Sequence, residues 1–316
     1  MRRASGDQHT PARQPNLIAV AALLLLVSLA LVAPIPTVLP ETGPLFDLLH
    51  APAFAVLAIF VYRALDSRSS RSNFTCAIAT LCLLGLLGVL TEYVQQFVGR
   101  QPSWSDAFAN GLGATAGIVW CVGAVVKSRR WKMMCRTGAA GLIVIGVWNP
   151  GLRLSAVLWQ RAAMPQLASF ESNLERFHWS AREGRIAFVP SHATHGNRAL
   201  QVNLTAGTYP GISLRPVPPN WRTYERLRCD VFLDGGPALE LIVKIHDVLH
   251  TGEPDDRFHQ TERLTPGWNE IRVDLATVAT APRERRLDLG NVALLQFFVV
   301  RPPEPRTLYF DNVRLE

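Results

Sequence analysis

The fold of the first half is decided by residues 74–126, FTCAIATLCLLGLLGVLTEYVQQFVGRQPSWSDAFANGLGATAGIVWCVGAVV. Two apolar runs, Phe74–Val98 and Trp104–Val126, are each long enough to cross a bilayer as a helix, which takes about 20 residues. Each carries one acid, Glu92 in the first and Asp106 in the second. The short segment between them holds Arg100. This reads as a membrane-spanning helical hairpin. Working outward, Leu17–Ala33 is an uncharged run closed by Pro34 and Pro36, Phe46–Leu65 is another, and Met133–Trp148 is a shorter, weaker one. Leu17–Ala33 also has the loosely small-residue end of a signal peptide, but the spans that follow directly make an uncleaved helix simpler. Five transmembrane helices are predicted.

The whole chain has 316 residues, 48% of them hydrophobic, and a net charge of +7. At about 100–200 residues per domain this suggests two domains. The charge is unevenly placed. Residues 1–164 hold 14 lysines and arginines against 6 acids (+8), and residues 165–316 hold 18 against 19 (−1). The basic excess thus belongs to the apolar half, which argues against a nucleic-acid partner and fits basic loops that orient membrane helices. Arg2, Arg3 and Arg13 precede the first run. Arg63, Arg68 and Arg71 follow the second, and Lys127, Arg129, Arg130, Lys132 and Arg136 follow the fourth. The opposite loops hold only Arg100. With five spans, the N-terminus is expected in the cytoplasm and everything after about residue 150 outside, in a plasma-membrane protein. The five cysteines have no zinc-like spacing and read as small buried hydrophobes.

Ionisable groups at membrane depth are costly and mark candidate functional sites. Asp47 and His50 are spaced i, i+3. Glu92, Gln95 and Gln96 are spaced i, i+3, i+4, and Asp106 and Asn110 are spaced i, i+4, with Gly113 and Gly117 continuing that stripe. In the expected topology all lie at outer helix ends, near Arg100, and meet in one outward-facing cavity. Two readings stay open. In one, the groups pair with each other and hold the bundle together. In the other, His50 and Glu92 are acid/base candidates, Asp106 orients, and Asp47, Gln95, Arg100 and Asn110 bind, with Arg100 taking an anionic group such as phosphate.

From about residue 165 the pattern changes to period two. Leu200/Val202/Leu204, Leu227/Cys229/Val231/Leu233, Leu239/Leu241/Val243/Ile245 and Ile271/Val273/Leu275 alternate with mostly polar residues. Val292–Val300 is a continuous run, and Leu308 and Phe310 open a last strand. Many short strands with turns between them predict an all-β jelly-roll sandwich. Its loop chemistry concentrates in His246-Asp247-x-x-His250 and Asp255-Asp256-Arg257-Phe258-His259. His246, Asp247, Asp256 and Arg257 are candidates for binding sugar hydroxyls, with Tyr209 or Trp221 as a stacking face. A metal site and a salt-bridged solvated loop are the alternatives. No G-x-S-x-G, P-loop, G-x-G-x-x-G or H-E-x-x-H motif occurs.

Glu92-x-x-Gln95, Gly99-Arg100, Ser103, Asp106, Asn110, Gly113-Ala114 and Gly117 resemble the core pattern of the VanZ-like membrane protein family, over about residues 17–126. Asp47-x-x-His50 resembles that family's earlier motif, though Leu48 stands where the family usually has Lys and Ala51 where it usually has an aromatic. The family is named for a protein associated with teicoplanin resistance, so the resemblance implies a role at the cell envelope, in glycopeptide tolerance or on a glycan or lipid-linked intermediate. Ser169-Phe170-Glu171, Pro266-Gly267-Trp268-Asn269 and Leu308–Val313 resemble galactose-binding-like jelly rolls of carbohydrate-binding modules. Such modules often carry a structural calcium ion near their termini, and Glu171 and Asp311 are donors of the right kind. The expected organisation is a cytoplasmic tail (1–16), a VanZ-like four-helix domain (17–126), a cytoplasmic loop, fifth helix and linker (127–160), and an extracytoplasmic sandwich (166–316). The expected partners are the lipid bilayer and an envelope glycan or lipid-linked intermediate. The alternative is a non-catalytic anchor or scaffold whose sandwich binds envelope carbohydrate.

Overall fold

The structure, a computed structural model, describes residues 21–22, 24–27, 40–67, 72–98 and 103–316. The chain divides into two compact units, one ending at Gly151 and one running from Leu152 to Glu316. In the first unit the helices are α1 (Thr42–Asp47), α2 (His50–Asp66), α3 (Asn73–Gln95, continued by a 3-10 turn at Gln96–Val98), α4 (Trp104–Val125) and α5 (Arg129–Ala163). Four stretches are long and apolar enough to cross a membrane: residues 42–66, α3, α4 and α5. The span expected at Leu17–Ala33 lies mostly outside the described residues. Leu24 and Val27 from it pack against the helical core.

The run expected as one helix over 46–65 is broken. Proline has no N–H, so Pro52 cannot donate to Leu48. Around that gap Leu49 N–H bonds Phe46 O (3.0 Å), and regular bonding resumes with Ala53 N–H to Leu49 O (2.9 Å). Asp47 thus ends α1 and His50 starts α2.

α2 and α4 pack unusually closely. A Cβ added at Gly113 would lie 2.1 Å from Ala51 O, and one at Gly117 would lie 2.4 Å from Ala55 O. The pairings 113 with 51 and 117 with 55 advance together, so the two helices run parallel. Small residues at this spacing permit such close approach. On the outside, α3 exposes Phe74, Leu83, Leu86, Val89 and Phe97, and α4 exposes Trp104 and Phe108.

The fifth helix differs from the short one expected. It has 35 residues with Pro150 inside, about 50 Å at 1.5 Å per residue. Its last turns, from Leu152, belong to the second unit, so helix stands where a linker near residue 160 is expected. The cysteines are all free. Cys76, Cys121 and Cys229 are buried as expected, whereas Cys82 is exposed and Cys135 half-buried.

The second unit is an antiparallel β-sandwich. Its strands are β1 (Gln166–Ala168), β2 (Trp179–Arg182), β3 (Gly184–Val189), β4 (Ala199–Leu204), β5 (Gly211–Leu214), β6 (Arg226–Leu233), β7 (Leu239–Asp247), β8 (Phe258–Leu264), β9 (Gly267–Asp274), β10 (Val292–Phe298) and β11 (Arg306–Leu315). One sheet has the order β3-β4-β11-β6-β9, with β1 also on β11, and the other β2-β5-β10-β7-β8. The alternating residues of β4, β6, β7 and β9 point into the core, where Val202, Cys229, Val231, Val243 and Val273 are fully buried. Phe170, Trp179, Phe297 and Phe310 form a connected aromatic row inside, with successive ring centroids 5.6, 6.5 and 5.2 Å apart. Burying each such side chain contributes about 1.5–3 kcal/mol. Leu275, expected to end a strand, instead opens a short helix, α6 (Leu275–Thr280). Asp274 caps it, its carboxylate accepting from Ala276 N–H (2.8 Å) and Thr277 N–H (3.2 Å).

Candidate functional site

In the helical unit, the start of α2, the end of α3 and the start of α4 supply the polar residues. His50, Glu92, Gln95, Asp106 and Asn110 are all buried. Three side chains converge: one ligand atom each from Asp47, His50 and Asp106 lies within 4.8 Å of the others. His50 is only 1% exposed, and neither of its ring nitrogens has a hydrogen-bond partner.

Glu92 is placed differently. Its Oε2 accepts the backbone N–H of Ser103 at 2.9 Å, which ties the end of α3 to the start of α4. It lines a groove of about 240 Å³ with Ser103 and Trp104. Asn110 lines a second groove of about 240 Å³, and Val89 and Ala107 border both. Asn110 sits over Gly88, where an added Cβ would lie 3.5 Å from its Nδ2. Neither polar atom of the Asn110 amide has a hydrogen-bond partner. The expected single cavity is therefore resolved into one tight cluster and two adjoining grooves. Arg100 lies outside the described residues.

In the sandwich, the His246–His259 segment is an ion-paired network centred on a residue that the sequence reading does not name. Arg285 donates to both carboxylate oxygens of the buried Asp247, at 2.5 and 2.8 Å, and through Nε to Asp256 at 2.5 Å. Asp247 also accepts the N–H groups of Asp288 (2.7 Å) and Leu249 (3.2 Å). Burial pushes the Asp247 carboxyl up, but Arg285 and the Asp288 N–H together hold it below the usual carboxylate range. The same guanidinium, with Thr251, holds Asp256 well below that range. His246 and His250 stack at 4.4 Å, and burial, with the nearby cations, pushes His246 down to about 4. Asp247 and Asp256 are thus engaged in structural bonds, the salt-bridged reading of this loop. Arg257 is not part of that network.

Trp221 is no stacking face: it is fully buried, with Nε1 donating to Pro218 O at 3.0 Å. Tyr209 is half-exposed, edge-on to Phe298. Glu171 accepts the N–H groups of Asn197 and Arg198, and the fully buried Asp311 accepts those of Thr194, His195 and Asn312. They brace one loop between β3 and β4. Among the described residues, the Asp47, His50 and Asp106 group is the cluster with metal-ligating geometry.

The outer face of the six-stranded sheet carries the clearest unassigned surface. Tyr309 on β11, Phe232 on β6 and Trp268 on β9 are direct cross-strand neighbours, and Gln201 on β4 continues the row. The Phe232 and Trp268 rings meet edge to face at 5.3 Å. His192, in a left-handed conformation (φ 57°), stacks on Tyr309 at 4.0 Å and lies tilted against Phe232 at 4.1 Å. Trp268 is 46% exposed. Polar groups flank the row: Gln201 donates to the Tyr309 hydroxyl (3.3 Å), and Thr307 bonds Asn203 (3.1 Å). The sequence holds the signal for this surface. Phe232, Trp268 and Tyr309 occupy the outward positions of alternating strands, where polar residues are the rule.

No protein-family model matches the chain, and no curated protein matches it. The resemblance of residues 17–126 to the VanZ-like family therefore rests on its motif residues. Solved structures matched over the C-terminal half include carbohydrate-binding modules. One is a family 11 carbohydrate-binding module from Clostridium thermocellum in complex with a β-1,3-1,4-mixed-linked tetrasaccharide, at 16% identity and TM-score 0.37, covering 48% of this chain and 93% of the module. Another is the CBM22-1 xylan-binding domain of Paenibacillus barcinonensis Xyn10C, at 18% identity and TM-score 0.32, covering 46% and 90%. A third is an exo-β-agarase, at 16% identity and TM-score 0.39. It matches 48% of this chain, which spans 24% of the agarase.

Proposed function

We propose that this chain is a membrane-anchored glycan-binding protein of the cell envelope. Its apolar helices hold it in the bilayer, and the outer face of its six-stranded sheet binds carbohydrate. The observation that carries the reading is the Tyr309–Phe232–Trp268 row. In this row the half-exposed Trp268 offers its ring to the C–H face of a sugar, backed edge to face by Phe232, and Gln201, Asn203 and Thr307 supply hydrogen-bonding groups on the same face. Trp268 is the open ring of the row, at 46% exposure, whereas Tyr309 is buried beneath His192, whose ring lies 4.0 Å away. Full-length protein in detergent, tested for retention on immobilised envelope polysaccharides, is expected to bind at least one of them. Trp268→Ala should lose about 2 kcal/mol of that affinity, roughly 30-fold, as central aromatic contacts do. Since Trp268 is half-exposed, the fold tolerates the change. Equal retention of Trp268→Ala and the unaltered chain overturns this site.

The bilayer reading is supported by the apolar side chains that α3 and α4 turn outward and by the asymmetry of cations between alternate loops. Counting the span expected at Leu17–Ala33, five crossings from a cytoplasmic N-terminus would leave the sandwich outside the cytoplasm. A reporter that works only after export, fused behind Glu316, is expected to be active, and activity confined to a cytoplasmic reporter at that position refutes the orientation.

A second reading is favoured by the buried polar groups at one end of α2, α3 and α4. In it the bundle acts on a glycan or lipid-linked intermediate at the outer leaflet, with His50, Glu92 and Asp106 as acid/base groups, in keeping with the VanZ-like resemblance.

A further inference from the structure

We infer that Asp47, His50 and Asp106 bind a divalent transition-metal ion at the end of the helical bundle. The donor atoms are one imidazole nitrogen and two carboxylate oxygens, all within 4.8 Å of each other. Around a tetrahedral zinc ion with bonds of 2.0–2.2 Å, neighbouring donors stand about 3.4 Å apart.

The independent pointer is His50. It is 1% exposed, and neither ring nitrogen takes part in a hydrogen bond. Buried polar groups almost always have partners, and an exception needs an explanation such as an ion. A ring nitrogen turned toward two carboxylates without bonding either has the position of a metal ligand.

The donor set suits zinc, manganese or iron(II), since imidazole favours the later transition metals and carboxylate the harder ones. Three protein ligands leave at least one coordination position open, the arrangement of sites that bind water or a substrate oxygen.

The backbone positions of the ligands are fixed by features already described. Asp47 and His50 flank the helix break at Leu48 and Leu49, Asp106 sits in the first turn of α4, and Gly113 and Gly117 hold α4 against α2. The inference does not depend on glycan binding by the sandwich.

The test uses the full-length protein in detergent, stripped with a chelator and titrated with Co²⁺ by visible absorption and with Zn²⁺ by calorimetry. One ion per chain is expected, with cobalt bands distinct from those of the hydrated ion. Asp106→Asn and His50→Gln should each weaken binding at least about tenfold, the scale on which even outer-shell changes act. Asp66→Asn, at the far end of α2, should bind as the unaltered protein does. Should a variant fail to fold, the unaltered protein still decides: no saturable binding, or a cobalt spectrum identical to that of the hydrated ion, overturns the site. Equal affinity in folded His50→Gln also overturns it.

Discussion

Replacing Arg285 with methionine is expected to lower the unfolding midpoint of the sandwich by roughly 10 °C. The side chain holds Asp247 with two hydrogen bonds and Asp256 with a third. Asp247 has no exposed side-chain surface, and Arg285 is 25% exposed. Removing one partner of a buried pair leaves the other charge without compensation, at a cost of about 3–5 kcal/mol. The lower end applies, because Asp247 keeps the N–H groups of Asp288 and Leu249. For a domain of about 150 residues, 3 kcal/mol corresponds to roughly 10 °C. Calorimetry or tryptophan fluorescence of the full chain measures this. A shift under about 2 °C, the size of a surface ion pair's contribution, would falsify the network as a structural element.

The pH dependence gives the same proposition a second arm. In the unaltered protein Asp247 is depressed below its ordinary 3.8, so its contribution is present above that value and lost as the pH falls through the folded one. His246 is neutral when folded and lowered from 6.5 to about 4, so stability also falls as the pH drops across that interval. In Arg285→Met the depressing cation is gone and burial dominates, which raises Asp247. Protonation then relieves the buried charge. The stability gap between variant and unaltered protein should narrow on acidification. A gap independent of pH between 7 and about 4 would show that the lost stability is packing by the arginine stem.

The gross architecture is legible in the sequence because burial leaves a period. Four of the five expected spans coincide with helices or helix pairs, and Leu200, Val231, Val243 and Val273 point inward as their alternation requires. Strands whose burial is irregular are harder to see. β8, FHQTERL, is apolar only at its ends, and β2 and β5 have four residues each. Residues acting at long range are invisible in a local reading: Arg285 lies 38 positions from Asp247, and nothing nearby in sequence marks it as that carboxylate's partner. Trp221 illustrates the opposite error. Its polar surroundings in sequence suggest exposure, but folding packs it completely. Among the candidate site residues, the spacing in Asp47-x-x-His50 and the start of α4 bring three side chains together, whereas Glu92 and Asn110 face separate grooves.

Gly113→Ala is expected to destabilise the helical unit by about 2 kcal/mol, although alanine favours helix over glycine by about 1 kcal/mol in an exposed position. The added methyl would fall 2.1 Å from Ala51 O and 3.0 Å from Ala51 Cα, so it meets backbone that cannot rotate away. α2 and α4 have to separate, and the separation falls one to two turns from His50 and Asp106. Gly111, two residues earlier on α4, has nothing within 4 Å of an added Cβ. Gly111→Ala therefore controls for helix propensity and should be neutral or slightly stabilising. Thermal unfolding of both variants in the same detergent, followed by far-ultraviolet circular dichroism, makes the comparison. The pair isolates the helix contact, since both replace glycine by alanine in one helix and only one closes on a neighbour. Equal stability of the two variants would mean that Gly113 does not seat α4 on α2. The fixed placement of Asp106 beside Asp47 and His50 would then lose its structural cause.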